Sequence, residues 1–154
     1  MNYKICCISH NRHENLKSIF NLFGTDNIYF FVKDQNDKDN YIKCGAKYVY
    51  ITGKLIESRN KAMEFCFANG DICIQVSDDL VSTEFNDFTG FRTKNKAQVI
   101  DVIENILPEF IQSEYYLAGF PPTSNPYFAM NKYDIGKFIV GDFIFIKPNK
   151  LRFD

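Results

Sequence analysis

Apolar positions in this chain fall alternately into short runs and helical stripes. Residues 3–8 are a short apolar run; polar Ser9-His10-Asn11-Arg12 follows, then Leu16, Ile19, Phe20 and Phe23 at helical spacing, closed by Gly24. Strand, polar loop, helix is therefore the first predicted unit. A second strand is read at 28–32, and the polar stretch 34–43 offers a short helix that Gly45 can terminate. Residues 47–51 alternate as a third strand broken by Gly53, and 55–69 read as a helix with Leu55, Ala62, Met63, Cys66 and Phe67 inward before Gly70. The run from Ile72 is a fourth strand, largely apolar and read as buried, that stops at Asp78 and Asp79. Strands alternating with helices at this spacing predict parallel crossovers and a doubly wound α/β sheet.

Beyond Leu80 the regularity fails. Residues 82–95 mix Thr, Asn, Asp, Gly and charges, as either a lid beside a site or a plain surface loop would. A longer helix follows, with Val99, Ile100, Ile103, Ile106 and Leu107 on one stripe and Pro108 expected to kink or end it. Residues 115–119 read as a strand, the proline-rich stretch 120–126 as a shaped loop, and 138–146 as a last strand. Within that strand Gly141-Asp142 marks a bulge or a close backbone approach. No internal repeat or low-complexity linker interrupts the chain, so 1–154 is expected to be a single domain.

Composition narrows the class of function. With 45% hydrophobic and 24% charged residues the chain is an ordinary globular sequence. Its 16 Phe and 9 Tyr, with no Trp, imply an aromatic core, some of whose rings could instead stack on a base or sugar. A formal net charge of -1 and a pI near 6.1 exclude the global basic field that drives non-specific nucleic-acid binding. Any polyanion must be held locally, with residues 92–96 and 147–152 as candidate basic patches. The five cysteines, Cys6, Cys7, Cys44, Cys66 and Cys73, lack Cys-x-x-Cys spacing and read as reduced packing residues of a cytosolic protein. With only His10 and His13 as histidines, a structural zinc site is not expected. No run reaches the roughly 20 apolar residues of a membrane span, and the N-terminus has no signal-peptide layout. The expectation is a soluble, cytoplasmic protein, in a host cell if the source is viral.

The chemistry centres on Asp78 and Asp79. Two adjacent carboxylates repel unless a proton or a cation lies beside them, and a hard divalent ion with phosphate oxygens as co-ligands meets that need. A strand delivering them to its carboxyl end puts them in the crevice where open α/β sheets bind ligands. The same Ser-Asp-Asp could simply be a turn or a helix cap.

Taken in order, Ser9 to Arg12, Arg59 to Ala62 and Ser77 to Leu80 resemble the glycosyltransferases of the A-type (GT-A) fold. Ser58-Arg59-Asn60-Lys61-Ala62, Gln75 to Leu80, Pro122 to Ala129 and Phe138 to Phe143 are similar, more narrowly, to the TET-associated glycosyltransferases of phages and eukaryotes. That resemblance implies a Rossmann-like nucleotide-sugar-binding domain with a mostly parallel mixed sheet flanked by helices. Residues 1–80 would be the nucleotide-binding half and 81–154 the acceptor-side half. It implies transfer of a sugar from a nucleoside-diphosphate sugar, preferably a UDP-sugar, with Mg²⁺ or Mn²⁺, to a hydroxymethylated pyrimidine in DNA.

By the same resemblance Asp79 would ligate the metal, with Asp78 beside it on the metal or on ribose or donor sugar. Arg59 would balance phosphate charge as a catalytic group, with Asn60 beside it at the nucleotide; Ser9, His10, Asn11 and Arg12 would frame the nucleoside. Tyr127-Phe128 could stack on a flipped base. Family members carry an acidic segment beyond a Phe-Asp like Phe153-Asp154, so either the acceptor half is expected to be incomplete or Asp142 in the Gly-Asp turn supplies the missing catalytic acid.

Each residue also has a plainer role open to it. Arg59 could pair with Glu57 or Glu64, Asn11 could cap the first helix, Asp142 could be a turn residue, and both histidines could be loop polar groups. At the level of function, sugar transfer to protein, lipid or polysaccharide, or a catalytically inactive nucleotide- or partner-binding domain, are the alternatives.

Overall fold

The computed structural model describes residues 2–82, 99–120, 135–136, 139 and 141–154. Six strands, β1 (Tyr3–Ile8), β2 (Ile28–Val32), β3 (Tyr48–Ile51), β4 (Ile72–Ser77), β5 (Leu117–Gly119) and β6 (Phe143–Ile146), form one mixed sheet in the order β3-β2-β1-β4-β6-β5. The first four are mutually parallel, and β6 runs antiparallel to both β4 and β5. Among the described residues four helices flank it: α1 (Leu16–Phe23), α2 (Gln35–Lys43), α3 (Leu55–Phe67) and α4 (Val99–Gln112).

The order of strands dictates the layers. Through α1 and α2 the chain steps from β1 to β2 to β3 in one direction, then returns through α3 past both strands to place β4 on the far side of β1. Crossovers of one hand then require α3 to lie on the face opposite α1 and α2. The packing obeys this. Leu16, Ile19 and Phe23 of α1, Tyr41 of α2 and Val99, Ile103 and Leu107 of α4 cover the face that carries Ile5, Cys7, Phe30 and Ile74. On the other face Ala62, Met63 and Cys66 of α3 cover Cys6, Phe31, Cys73 and Ile144. Alternation along β1 sends Cys6 and Cys7 to opposite cores.

As composition implied, the core is aromatic: Phe143 stacks on Phe145 with centroids 5.6 Å apart, and Phe30 meets the Tyr41 ring edge-on at 5.6 Å. Three predicted details differ. Leu55 is 60% exposed at the first residue of α3 and does not face inward. Pro108 neither ends nor precedes a break in α4, which continues to Gln112. The last strand begins only at Phe143, with Gly141-Asp142 in the turn before it. The basic stretch 92–96, most of the loop 82–95, the loop 121–126, Tyr127-Phe128 and the positions 138 and 140 lie outside the described residues.

Candidate functional site

The direction of the connections reverses between β1 and β4, and a cleft opens where these two adjacent strands end. About 560 Å³ in volume, it is of a size suited to a small organic ligand. Its walls come from the residues just past each parallel strand: Ser9, His10 and Arg12 after β1, Lys33 after β2, Gly53 and Lys54 after β3, Asp78 and Asp79 after β4. Arg59 and Ser58 close it from the first turns of α3.

The loop after β1 is fixed by α2. Asp34 caps that helix by accepting from the Asp37 amide at 3.0 Å, which points the buried Asp37 carboxylate back at the loop. Asp37 Oδ1 accepts from the Asn11 amide at 3.0 Å, and Oδ2 meets His10 Nδ1 at 2.7 Å. Asn11 takes the left-handed conformation there, φ 53°, which Asn tolerates better than most residues. Its contribution is the turn itself, since neither the short 3-10 turn at His13–Asn15 nor α1 has a side-chain cap.

Asp78 is turned inward. Its Oδ2 accepts from the Ser9 hydroxyl and its Oδ1 from Arg12 Nη1 at 3.3 Å, while Asn15 Nδ2 donates to its carbonyl at 3.3 Å. With the Ser9 proton committed to Asp78, the Tyr41 hydroxyl donates to Ser9 and accepts from the Arg12 amide at 3.3 Å. Burial pushes the Tyr41 phenol up to about 12, so it stays a neutral donor. Burial also raises the Asp78 carboxyl above its usual value, against the opposing pull of Ser9 and Arg12. Asp79 points the other way: its side chain is 63% exposed on the rim and pairs with the same Arg12 guanidinium.

Arg59 stands across the cleft. Nη1 donates to Gln75 Oε1 at 3.2 Å and Nη2 to the Gly141 carbonyl at 3.1 Å, and Gln75 Nε2 returns a bond to the Arg59 carbonyl at 2.8 Å. Burial lowers its pKa and the nearby Asp142 charge opposes that shift. It does not pair with Glu57 or Glu64; Glu64 is engaged by Lys61 at 2.7 Å. A Cβ on Gly141 would lie 2.7 Å from Arg59 Nη2, so the close backbone approach expected at this glycine is made by the guanidinium.

Of the predicted site residues, Ser9, His10, Arg12, Arg59, Asp78 and Asp79 converge on the cleft. Asn11 supports it through the backbone. Asn60 does not line it: its amide clasps Phe153, donating to the carbonyl at 3.0 Å and accepting from the amide at 2.9 Å. Exposed Asp142 is not among the lining residues either; its carbonyl accepts from the Ser77 amide at 2.8 Å, which ties the turn to the end of β4. Lys33, Lys54, Ser58 and Tyr41 were missed by sequence reasoning. The signal for the lysines was their position, since the segment between each parallel strand and the element that follows it reaches the same rim.

Among the described residues the lining carries four cations, Arg12, Lys33, Lys54 and Arg59, against two carboxylates. In a protein of net charge -1 that is a local excess of positive charge, suited to an anion carrying more than one charge. The donor set also fits a hard cation at one position. Asp79 is exposed and shares only an exposed guanidinium, whereas both oxygens of Asp78 are already engaged within the protein. Among the described residues no helix is long and apolar enough to cross a membrane. No protein-family model, curated protein or solved structure matches the chain.

Proposed function

We propose that the cleft binds a nucleoside-diphosphate sugar, preferably a UDP-sugar, and that the domain is a metal-dependent glycosyltransferase of the GT-A type. The observation that carries this reading is the meeting, at the reversal between β1 and β4, of an exposed carboxylate, Asp79, with a wall of cations headed by Arg59. In this reading Asp79 holds Mg²⁺ or Mn²⁺, and Arg12 swings from it to phosphate. The bound cation supplies neutralisation of the diphosphate as it departs from the anomeric carbon. Arg59 is held by Gln75 and Gly141 before any ligand arrives, so its charge meets the leaving diphosphate without reorganisation. Lys33, Lys54 and the N-terminus of α3, whose cap position makes no side-chain hydrogen bond, add positive potential along the same wall. Asp78 and Ser9, locked together, face the nucleoside or the sugar with a fixed pattern of acceptors. Asp142 remains the candidate acid on the acceptor side, and a hydroxymethylated pyrimidine in DNA the preferred acceptor.

One observation favours a second reading. The Arg12 guanidinium pairs with both aspartates and offsets half of their charge without a metal, as expected of an inactive nucleotide-binding domain. Titration of UDP and UDP-glucose with and without Mn²⁺ separates the two. Mn²⁺-dependent binding that weakens at least tenfold in Asp79→Ala supports the donor site, and binding indifferent to both would sink it. Incubation of labelled UDP-sugar with hydroxymethylated and unmodified DNA then distinguishes transfer to the modified base from binding alone.

A further inference from the structure

On the face of the sheet opposite α1, three cysteines distant in sequence come together. Cys6 of β1 and Cys73 of β4 are diagonal neighbours on adjacent parallel strands, since Cys6 pairs with Gln75 and Cys73 with Lys4. Cys66 descends on them from the last turn of α3. All three are fully buried. Their sulfurs lie within 4.8 Å of one another, with Cys6 and Cys66 3.5 Å apart.

We propose that Cys6, Cys66 and Cys73 form a three-sulfur site for a single thiophilic d¹⁰ cation, Cu(I) being its chemical type. Three sulfurs at about 2.3 Å from a common centre stand about 4 Å from one another, so the trio needs shifts of well under 1 Å to close on an ion. The ligand type selects the metal. Thiolates without oxygen donors reject Mg²⁺ and Mn²⁺, and among the described residues no histidine or carboxylate joins the trio to complete the tetrahedron that zinc prefers. A dry, three-coordinate sulfur pocket is what a soft monovalent ion accepts.

Negative charge on sulfur is favoured at Cys66. The Lys4 ammonium, ion-paired to Asp71, lies close enough for its charge and that of Cys66 to favour each other. Gln75 Nε2 stands 3.8 Å from Cys73 Sγ as a donor. Hydrogen bonds from Cys6 and Cys73 pull the Cys66 thiol down, while burial raises the other two. Binding is a ligand exchange with no change of oxidation state: Cu(I) leaves its carrier, three Cu–S bonds form, and the displaced thiol protons go to solvent. This site lies on the other face from the α1 core and is independent of the proposed sugar-transfer reading.

The test is anaerobic titration of the reduced full chain with Cu(I) delivered as its bicinchoninate complex. The expected result is withdrawal of one equivalent, with a thiolate-to-Cu(I) absorption in the near ultraviolet. Cys66→Ala and Cys73→Ala should each weaken binding at least tenfold, whereas Cys44→Ala, at the exposed cysteine, should leave it unchanged. X-ray absorption on the wild-type adduct should report three sulfurs at about 2.3 Å, and needs no variant to fold. No uptake, loss of uptake in Cys44→Ala alone, or a coordination shell of nitrogen or oxygen would each overturn the proposal.

Discussion

Asp78 and Asp79 are neighbours in sequence and opposites in environment. One is buried against Ser9 and Arg12, the other exposed on the rim. Because burial raises the Asp78 carboxyl, the folded chain binds more protons than the unfolded one between the ordinary carboxyl value of 3.8 and the raised value. Wild-type stability therefore loses ground as pH rises through that window, and the cost is fully present above it. In chelator-treated protein, the urea-unfolding free energy of Asp78→Asn relative to wild type should improve from pH 4 to pH 7. A difference independent of pH would mean that the carboxylate is not desolvated. The adjacent Arg59 and Asn60 diverge for a simpler reason. Consecutive helical residues point about 100° apart, so one faces the cleft while the other clasps Phe153. That divergence was available in the sequence, where adjacency had suggested a shared ligand.

At the scale of elements, β1 to β4 and α1 to α3 were legible because each shows one clean period and one clear stop. Gly24, Gly45 and Gly70 take positive φ close to the helix ends that they were read to mark, and Gly53 takes it just past the strand that it was read to break. Pro108 misled because its local preference competes with a strong apolar stripe: Val99, Ile103, Leu107 and Phe110 are all buried in the core against the sheet, and packing carries the helix through. The exposed proline still denies a backbone donor to the Glu104 carbonyl. Pro108→Ala should therefore stabilise the protein by about 1 kcal/mol or more, read as a higher urea midpoint with an unchanged slope. The cysteine trio had no counterpart in spacing. Its members are separated by 60 and 7 positions and meet only through the strand register and the descent of α3.

For the whole molecule, the rim of the sheet was readable as a rule, and its far supports were not. Ser9, Arg12, Asp78 and Asp79 follow from strand ends alone, whereas Tyr41 and Gln75 act from inside the core through hydroxyl and amide groups that no surface pattern announces. Gln75 is fully buried, yet it joins β4, which carries it and the Cys73 sulfur, to the guanidinium and carbonyl of Arg59 on α3.

Arg59 also lies 5.3 Å from the Phe153 ring centroid, and Asn60 beside it grips the Phe153 backbone. A ligand that binds only the Arg59 pose packed on Phe153 raises the free energy needed to peel Phe153 away, and by reciprocity a loosened Phe153 must weaken that ligand by the same factor. The Phe153 amide, which donates to Asn60 Oδ1 at 2.9 Å, is the probe for this coupling. UDP with Mn²⁺ should slow its hydrogen exchange several-fold, and Phe153→Ala should reduce UDP affinity correspondingly; exchange indifferent to UDP at saturation would show the two to be thermodynamically separate.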